Sequence, residues 1–223
     1  KAAFAAETVF CWFPLEAAPA DLPMDTRAKL DPAGRPAPPG GWGRDAETAY
    51  DLGVFENLHW DRYTEADRSC FLDGLLATAR ALPDAKILVR PHPAGRWADR
   101  LGHELAPFKN IVQPSAAHAR TALAGGAQLL RGISRVITTP STVAADAALA
   151  GAPVALAAPG GASYQPLPVL DGPNAWVAFA SGAPYDPSVL DQFRSRVLVA
   201  GDGAPRIVER LERDLVATMA KPS

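Results

Sequence analysis

The chain has 223 residues, a formal net charge of -2, 48% hydrophobic residues and 21% charged residues. This balance is typical of a globular protein with a sizeable core, and the near-neutral charge disfavours nucleic acid as the main partner. The two cysteines, Cys11 and Cys70, suit neither a disulfide framework nor a metal site, and no apolar run approaches the roughly 20 residues that span a bilayer.

The N-terminal part combines one predicted strand with a long irregular segment. Thr8–Phe13 is β-branched and aromatic, which predicts a buried first strand. Pro14–Gly43 is rich in proline, alanine and glycine, so we expect no regular helix or sheet there. Such a segment is either a lid or partner contact, or a plain variable insertion. The start of the chain lacks an apolar signal region and an initiator methionine, so we expect a cytoplasmic protein that is trimmed or is one domain of a longer one.

The next elements alternate between strand and helix. Tyr50–Trp60 contains an apolar stretch that predicts a second strand. Thr64 is the predicted cap of a helix whose first turn is acidic and whose apolar residues recur at helical spacing. Lys86–Val89 is the next predicted strand, and it runs directly into the sequence RPHP. Its two prolines stiffen this turn and fix where Arg90 and His92 point.

The rest of the chain continues this alternation. The pattern predicts helices over Ala94–Phe108 and within Ser115–Gly132, short strands over Asn110–Gln113 and Trp176–Ala180, and two closing helices over Asp186–Ala200 and Ala204–Ala220. Continuous apolar strands separated by helices are typical of a parallel sheet that is covered on both faces. We therefore predict a Rossmann-like, doubly wound α/β fold, as a single domain over residues 1–223 with an insertion at about residues 14–43.

The segment Arg135–Leu156 (RVITTPSTVAADAALAGAPVAL) predicts a compact strand–helix–strand unit. A hydroxyl-rich turn containing Thr139, Ser141 and Thr142 lies between the first strand and the alanine-rich helix. The first backbone N–H groups of a helix lack internal partners and carry partial positive charge, so a phosphate fits there. The alternative is that Ser141 or Thr142 is only an N-cap.

Polar turns follow several of the predicted strands, and these turns should line one edge of the sheet. They are RPHP, QPSAAH, TTPST and APGGASY. Ligands of such folds bind beyond the carboxyl ends of the strands. Arg90, His92, Ser141 and Thr142 would together form an anion site that suits a nucleoside monophosphate or diphosphate.

Other readings of these residues remain open. His59 with Asp61 forms either an acid–base pair or a cap of the following helix. His92 could instead cap a turn, and Arg90 could form a surface ion pair. We find no GxxxxGK[ST] motif, no suitably placed DxD pair and no clustered His/Cys ligands, so we predict a site without metal or cofactor.

The order of two motifs resembles a known family. ILVRPHP followed by VITTPSTVAADAALAGAPVAL resembles the C-terminal, donor-binding half of GT-B glycosyltransferases, over about Lys86–Ala158. The closest likeness is to bacterial capsule, lipopolysaccharide and teichoic-acid enzymes, including polysialyltransferases, Kdo transferases and CDP-glycerol glycerophosphotransferases. Those enzymes carry a His-Pro motif after one strand and a paired Ser/Thr motif after a later strand. The matching residues here are His92 with Pro93, and Ser141 with Thr142.

The resemblance implies a metal-independent transferase, or its donor-binding domain, that uses a CMP- or CDP-linked donor in surface polysaccharide synthesis. It implies that His92, Ser141 and Thr142 contact the donor phosphate, and we add Arg90 and Thr139 from the same turns. His92, His59 and Asp61 are the candidate catalytic residues. A complete GT-B enzyme has two Rossmann-like domains, and the acidic motif that often supplies its catalytic base is not evident here.

Two other functions and several partners stay open. One alternative is a sugar-nucleotide epimerase or hydrolase, for which Asp61 and Asp146 are the acidic candidates. The other is a non-catalytic nucleotide-binding or assembly module, with residues 14–43 as its contact surface. For the transferase, the expected partners are a nucleotide-linked donor and a glycan or glycolipid acceptor. An N-terminal acceptor domain, a peripheral association with the cytoplasmic membrane and a homo-oligomer are further expectations.

Overall fold

The computed structural model describes residues 8–18, 22–38, 40–43, 48–92, 97–113 and 126–219. It divides into two units, a smaller one of residues 1–41 with 194–223 and a larger one of residues 42–193. The expected single domain over the whole chain stays a prediction.

The strands of the described residues are β1 (Val9–Cys11), β2 (Leu30–Pro32), β3 (Tyr50–Glu56), β4 (Ile87–Pro91), β5 (Ile111–Val112), β6 (Ile133–Thr138) and β7 (Val154–Leu156). The α-helices of the same residues are α1 (Met24–Arg27), α2 (Glu65–Ala81), α3 (Gly102–Leu105), α4 (Gly126–Arg131), α5 (Thr142–Leu149), α6 (Gly172–Ala180), α7 (Ser188–Val197) and α8 (Gly203–Met219). Short 3-10 helices cover Leu15–Ala17, Trp97–Leu101 and Ala162–Tyr164.

The larger unit is built on a five-stranded parallel sheet with the order β5-β4-β3-β6-β7. Val54 of β3 lies in register between Val89 of β4 and Ile137 of β6, and all three side chains are fully buried. The chain order reverses between β3 and β6, so the carboxyl ends of these two strands flank a crevice, the usual ligand site of doubly wound sheets. The predicted α/β, Rossmann-like parallel sheet is confirmed.

The core of the larger unit lies between the sheet and its helices. Phe71 and Leu75 of α2 are buried in it, and the Phe71 ring meets the Trp176 ring of α6 edge to face, with centroids 5.2 Å apart. Gly74 lets these two helices approach, because a Cβ added there would lie 2.6 Å from the Trp176 ring. Large aromatic side chains of this kind dominate core energetics.

Helix α2 begins as the sequence predicts. The Thr64 hydroxyl accepts a hydrogen bond from the Asp67 backbone N–H, at 3.2 Å. The Asp67 carboxylate in turn accepts one from the Thr64 backbone N–H, at 2.7 Å. This reciprocal capping box satisfies two donors that the helix itself leaves without partners.

The strand predicted over Trp176–Ala180 is wrong, because these residues form the C-terminal half of helix α6. The apolar run is too short to distinguish a buried strand from a buried helix by periodicity. Trp176 and Phe179 are the buried pair, and their spacing of three places them on one helical face. A proline at the start of the helix, Pro173, supplies a backbone angle suited to the first turn.

Two other predicted helices are partly described. Within Ala94–Phe108 the structure has a 3-10 helix over Trp97–Leu101 that continues into α3, and residues 93–96 lie outside the described part. Within Ser115–Gly132 it has α4, and residues 114–125 lie outside the described part. Pro93, which matches the His-Pro motif, is among the residues not described.

The smaller unit corrects two N-terminal predictions. Strand β1 lies outside the five-stranded sheet and pairs in parallel with β2, and its residues Val9 and Phe10 are only half-buried. Residues 14–43 contain β2, α1 and a 3-10 helix, although we expected no regular structure there. These elements are three to four residues long. Pro14 directly precedes the 3-10 helix and Pro23 directly precedes α1. A proline is tolerated at the start of a helix, so these two prolines do not interrupt the short elements.

Helix α8 closes the smaller unit. Its Arg210 guanidinium forms an ion pair of 2.6 Å with the Asp31 carboxylate of β2. Val208, Leu211 and Leu215 form an apolar stripe along α8 that is exposed. No helix among the described residues has both the length and the apolar character needed to cross a bilayer.

Candidate functional site

A cavity of about 430 Å³ opens beyond the carboxyl ends of β3, β4 and β6. This is the edge at which the sequence predicts that the polar turns converge. Polar groups from three loops face it, together with the side chain of Tyr164. Its lining residues are Phe55, Glu56, Asn57, Arg62, Arg90, Pro91, His92, Pro140, Ser141, Thr142, Val143 and Tyr164.

The turn between β6 and α5 supplies two hydroxyl groups to the cavity. Ser141 is the N-cap of α5, and its hydroxyl accepts a hydrogen bond of 3.3 Å from the Val143 backbone N–H. The same hydroxyl lies 3.1 Å from the Thr138 hydroxyl. Thr142 begins the helix and is exposed. Capping and lining the cavity are therefore compatible roles for Ser141, and the partial positive charge of the helix start faces the same space.

Thr139 takes a different position from its neighbours in the same turn. It is fully buried and does not line the cavity. Its hydroxyl donates a hydrogen bond of 2.6 Å to the Asn57 side-chain oxygen and accepts one of 3.0 Å from the Asn57 backbone N–H. The Asn57 side chain also donates to the Pro140 carbonyl, at 3.2 Å. These bonds tie the end of β3 to the end of β6, beside the crevice.

The end of β4 supplies the two basic groups predicted from the sequence, Arg90 and His92, and both line the cavity. Burial lowers the pKa of Arg90, yet a guanidinium stays cationic at neutral pH. The pKa of His92 is also lowered, first by burial and then by the charge of His59. The unliganded His92 imidazole is therefore mainly neutral at pH 7, and it can donate or accept a proton there.

His59 lies beside His92, whereas Asp61 does not join them. The His59 and His92 rings are stacked with centroids 4.8 Å apart and an interplanar angle of 30°. Both ring nitrogens of His59 are buried and have no hydrogen-bond partner among the described residues. His59 lines a neighbouring cavity of about 300 Å³ together with Arg68 and Arg100. Asp61 is exposed and lines neither cavity.

Glu56 is a buried carboxylate at the cavity that sequence reasoning did not single out. Its side chain accepts hydrogen bonds from the backbone N–H groups of Leu58, at 2.7 Å, and Ala98, at 3.1 Å. Burial raises the pKa of Glu56, and these N–H groups partly oppose that shift. The signal in the sequence is an acid that directly follows the apolar run Leu52–Phe55 and precedes a polar loop.

Arg62 and Tyr164 complete the wall of the cavity, and neither was predicted as a site residue. The Arg62 guanidinium donates to the Pro140 carbonyl, at 2.9 Å, and to the Tyr63 hydroxyl, at 3.1 Å. Burial raises the pKa of Tyr164, and the charge of Arg62 opposes that effect. Tyr164 belongs to the loop after β7, whose sequence APGGASY is one of the four polar turns.

The comparisons with known proteins show a likeness of fold. No family model matches the chain, and no curated protein matches it by sequence. A solved structure that matches is that of a histidine-to-asparagine variant of the wall teichoic acid polymerase TagF, with a TM-score of 0.60 and 13% identity. The chain shares the fold of this polymerase. The alignment covers 96% of this chain and 60% of the TagF chain, so the chain spans less than two thirds of that protein.

This arrangement of groups suits an anionic ligand. Arg90 and Arg62 are cationic, His92 offers a ring nitrogen, and Ser141 and Thr142 add hydroxyls at a helix N-terminus. Across the described ranges, no group of three or more His, Cys, Asp or Glu side chains is placed to hold a metal ion. That the site works without metal or cofactor stays a prediction.

Proposed function

We propose that this chain binds a CMP- or CDP-linked donor and acts as a glycosyltransferase or glycerophosphotransferase, or as the donor-binding part of one. The observation that carries the proposal is one cavity lined by Arg90 and His92 from the end of β4 and by Ser141 and Thr142 from the start of α5. The TagF-like fold supports it, since TagF is a teichoic acid polymerase.

In this proposal the donor phosphates occupy the cavity between β4 and α5. The guanidinium of Arg90 pairs with phosphate oxygens, and the hydroxyls of Ser141 and Thr142 donate to them. Negative charge grows on the leaving phosphate as the donor bond breaks. Arg90, a protonated His92 and the start of α5 stabilise that charge without needing to reorganise.

His92 and His59 are the proposed acid–base residues, because their rings stack beside the phosphate site. The lowered pKa of His92 leaves it neutral at pH 7, and a bound phosphate would favour its protonated form. The proposed acceptor is a glycan or glycolipid of the bacterial surface, and the proposed location is the cytoplasm or the cytoplasmic face of the membrane.

The test is a thermal-shift panel with CMP, CDP, UDP and GDP. A ligand that binds only the native state at ten times its Kd stabilises it by about 1.4 kcal/mol. For a chain of this size, that raises the Tm by about 3–6 °C. We expect a shift with CMP or CDP that is larger than the shift with GDP.

The matched variants are His92→Ala and His103→Ala. We expect His92→Ala to abolish the nucleotide shift while the unliganded Tm changes little. His103 lies in α3, is exposed and does not line the cavity, so its variant should keep the full shift. The absence of any shift with millimolar CMP and CDP in the unmodified chain would contradict the proposal.

A further inference from the structure

The carboxylate of Glu56 connects two loops at the cavity. It stands at the end of β3, the central strand of the sheet, and its residue is only 3% exposed. It accepts hydrogen bonds from Leu58 in the loop after β3 and from Ala98 in the segment after β4. The backbone N–H of His92 also helps to lower the pKa of this carboxylate.

We propose that Glu56 is a positioning residue that holds His92 at the cavity through the backbone. The carboxylate accepts a hydrogen bond from Ala98 in the segment after β4, and the backbone N–H of His92, the first residue after that strand, acts on it electrostatically. The bond to Leu58 fixes the loop that carries His59, and the His59 and His92 rings are stacked. One side chain thus sets the relative positions of both histidines.

A carboxylate is required in this role because every partner is an N–H donor. An ionised carboxylate is acceptor-only and has two oxygens that can satisfy several N–H groups. Glutamine has the same shape, but it replaces one oxygen with an NH₂ group that faces another donor. When a buried N–H loses its acceptor, either the loop moves so that the N–H reaches water, or the N–H stays buried at a cost in desolvation free energy. Burying a carboxylate costs desolvation free energy, and its presence here is consistent with a role that an apolar residue cannot fill.

The inference rests on the proposed function only for the role of His92, namely contact with the donor phosphate. The position of the His92 ring can be measured without any nucleotide. Burial and the neighbouring His59 lower the pKa of His92 in the folded chain. A ring that leaves this place gains solvent and loses His59 as a neighbour, and its pKa then rises toward the ordinary value of about 6.5.

The experiment compares Glu56→Gln with Asp51→Asn. Asp51 lies on the same strand near its other end, is exposed, and its carboxylate accepts one backbone N–H bond, from Lys86 at 2.7 Å. We would follow the His92 ring proton by NMR from pH 5 to pH 8 without ligand. We expect the His92 pKa to rise in Glu56→Gln and to keep its wild-type value in Asp51→Asn.

The second readout is the Kd for CDP, measured at a temperature at which each variant is folded. Misplacing a binding group by about 1 Å is costly, so we expect Glu56→Gln to weaken CDP binding about tenfold or more, and Asp51→Asn to leave it unchanged. If wild-type protein does not bind CDP, the proposed function fails, and the His92 titration still decides the role of Glu56.

Glu56→Asp covers the case in which Glu56→Gln does not fold. It keeps the charge but is shorter by one methylene, so it cannot reach the N–H groups of Leu58 and Ala98 at once. We expect a smaller rise of the His92 pKa than in Glu56→Gln. A His92 titration identical to that of wild type, in a folded Glu56→Gln or Glu56→Asp variant with a lowered Tm, would overturn the proposal and leave Glu56 a purely structural residue.

Discussion

At the scale of single residues, two hydroxyl groups of one turn have different surroundings. Thr139 is buried and bonded to Asn57, whereas Thr142 is exposed and lines the cavity. Both stand in the same hydroxyl-rich sequence, and both were predicted to bind the donor phosphate. The orientation of each side chain in the turn decides whether its hydroxyl is buried in a hydrogen bond or lies at the cavity.

This difference can be tested with Thr139→Val and Thr142→Val. Thr139→Val keeps the shape of the side chain but leaves the Asn57 backbone N–H and side-chain oxygen without this partner, so we expect a loss of about 1–3 kcal/mol in the free energy of unfolding. Thr142→Val should change that free energy by less than about 0.5 kcal/mol. Urea denaturation measures both values.

For the Kd of CDP, measured by titration, we expect the larger change in Thr142→Val and not in Thr139→Val. Thr142→Val should weaken binding, while Thr139→Val should bind normally at a temperature at which it is folded. Equal stability losses in the two variants would contradict the structural assignment of Thr139. A normal Kd for Thr142→Val would remove that residue from the proposed phosphate site.

At the scale of elements, the contact between α2 and α6 decides how the helices cover the sheet. Gly74 of α2 lies against the Trp176 ring of α6, and Trp176 is 1% exposed. The close approach brings Phe71 to the same ring. The strand predicted at Trp176 is wrong because its short apolar run fits a buried helix as well as a buried strand, and the helix it packs on is distant in the sequence.

Substitution of Gly74 tests this packing. On an isolated helix, alanine is more stable than glycine by about 1 kcal/mol. In Gly74→Ala, however, the new methyl group would lie 2.6 Å from the Trp176 ring, and overpacking a core costs about 1–3 kcal/mol. We therefore expect net destabilisation of up to about 2 kcal/mol, as measured by chemical denaturation.

Gly102→Ala is the matched control for the glycine substitution. Gly102 begins α3, and a Cβ added there meets no atom within 4 Å. Only the higher helix propensity of alanine then matters, so we expect the free energy of unfolding to stay the same or to rise by up to about 1 kcal/mol. A stable Gly74→Ala variant would show that α2 and α6 can separate at little cost.

At the scale of the whole molecule, stability depends on groups that the fold keeps from ionising. The Tyr185 hydroxyl donates a hydrogen bond of 3.1 Å to the Val154 carbonyl of β7. Burial raises the pKa of Tyr185 to about 12. The unfolded chain ionises this group near pH 10, where the folded chain still binds the proton. Its contribution is therefore complete below pH 10 and is lost as the pH rises toward about 12.

Alkaline unfolding provides the measurement. We expect the free energy of unfolding to fall steadily above pH 10 in the wild-type chain, and the fall to be shallower in Tyr185→Phe. The variant should also lose about 1 kcal/mol at neutral pH, because its hydrogen bond to Val154 is absent. An unchanged alkaline slope in Tyr185→Phe would show that Tyr185 ionises normally in the folded protein.

Local patterns along the chain predicted the alternation of strands and helices, the parallel α/β class and the edge of the sheet that carries polar turns. These follow from local periodicity and from the rule that parallel strands share a carboxyl edge. The same patterns placed Arg90, His92, Ser141 and Thr142 at that edge, and all four residues line one cavity in the structure.

The fold, and not these local patterns, established the strand order, the position of β1 outside the main sheet and the helix at Trp176. It also decided that Thr139 is buried and that Glu56 joins two loops. The physical reason is the range of the forces involved. Periodicity reflects neighbours along the chain, whereas strand order and the hydrogen-bond partners of buried polar groups depend on segments far apart in sequence.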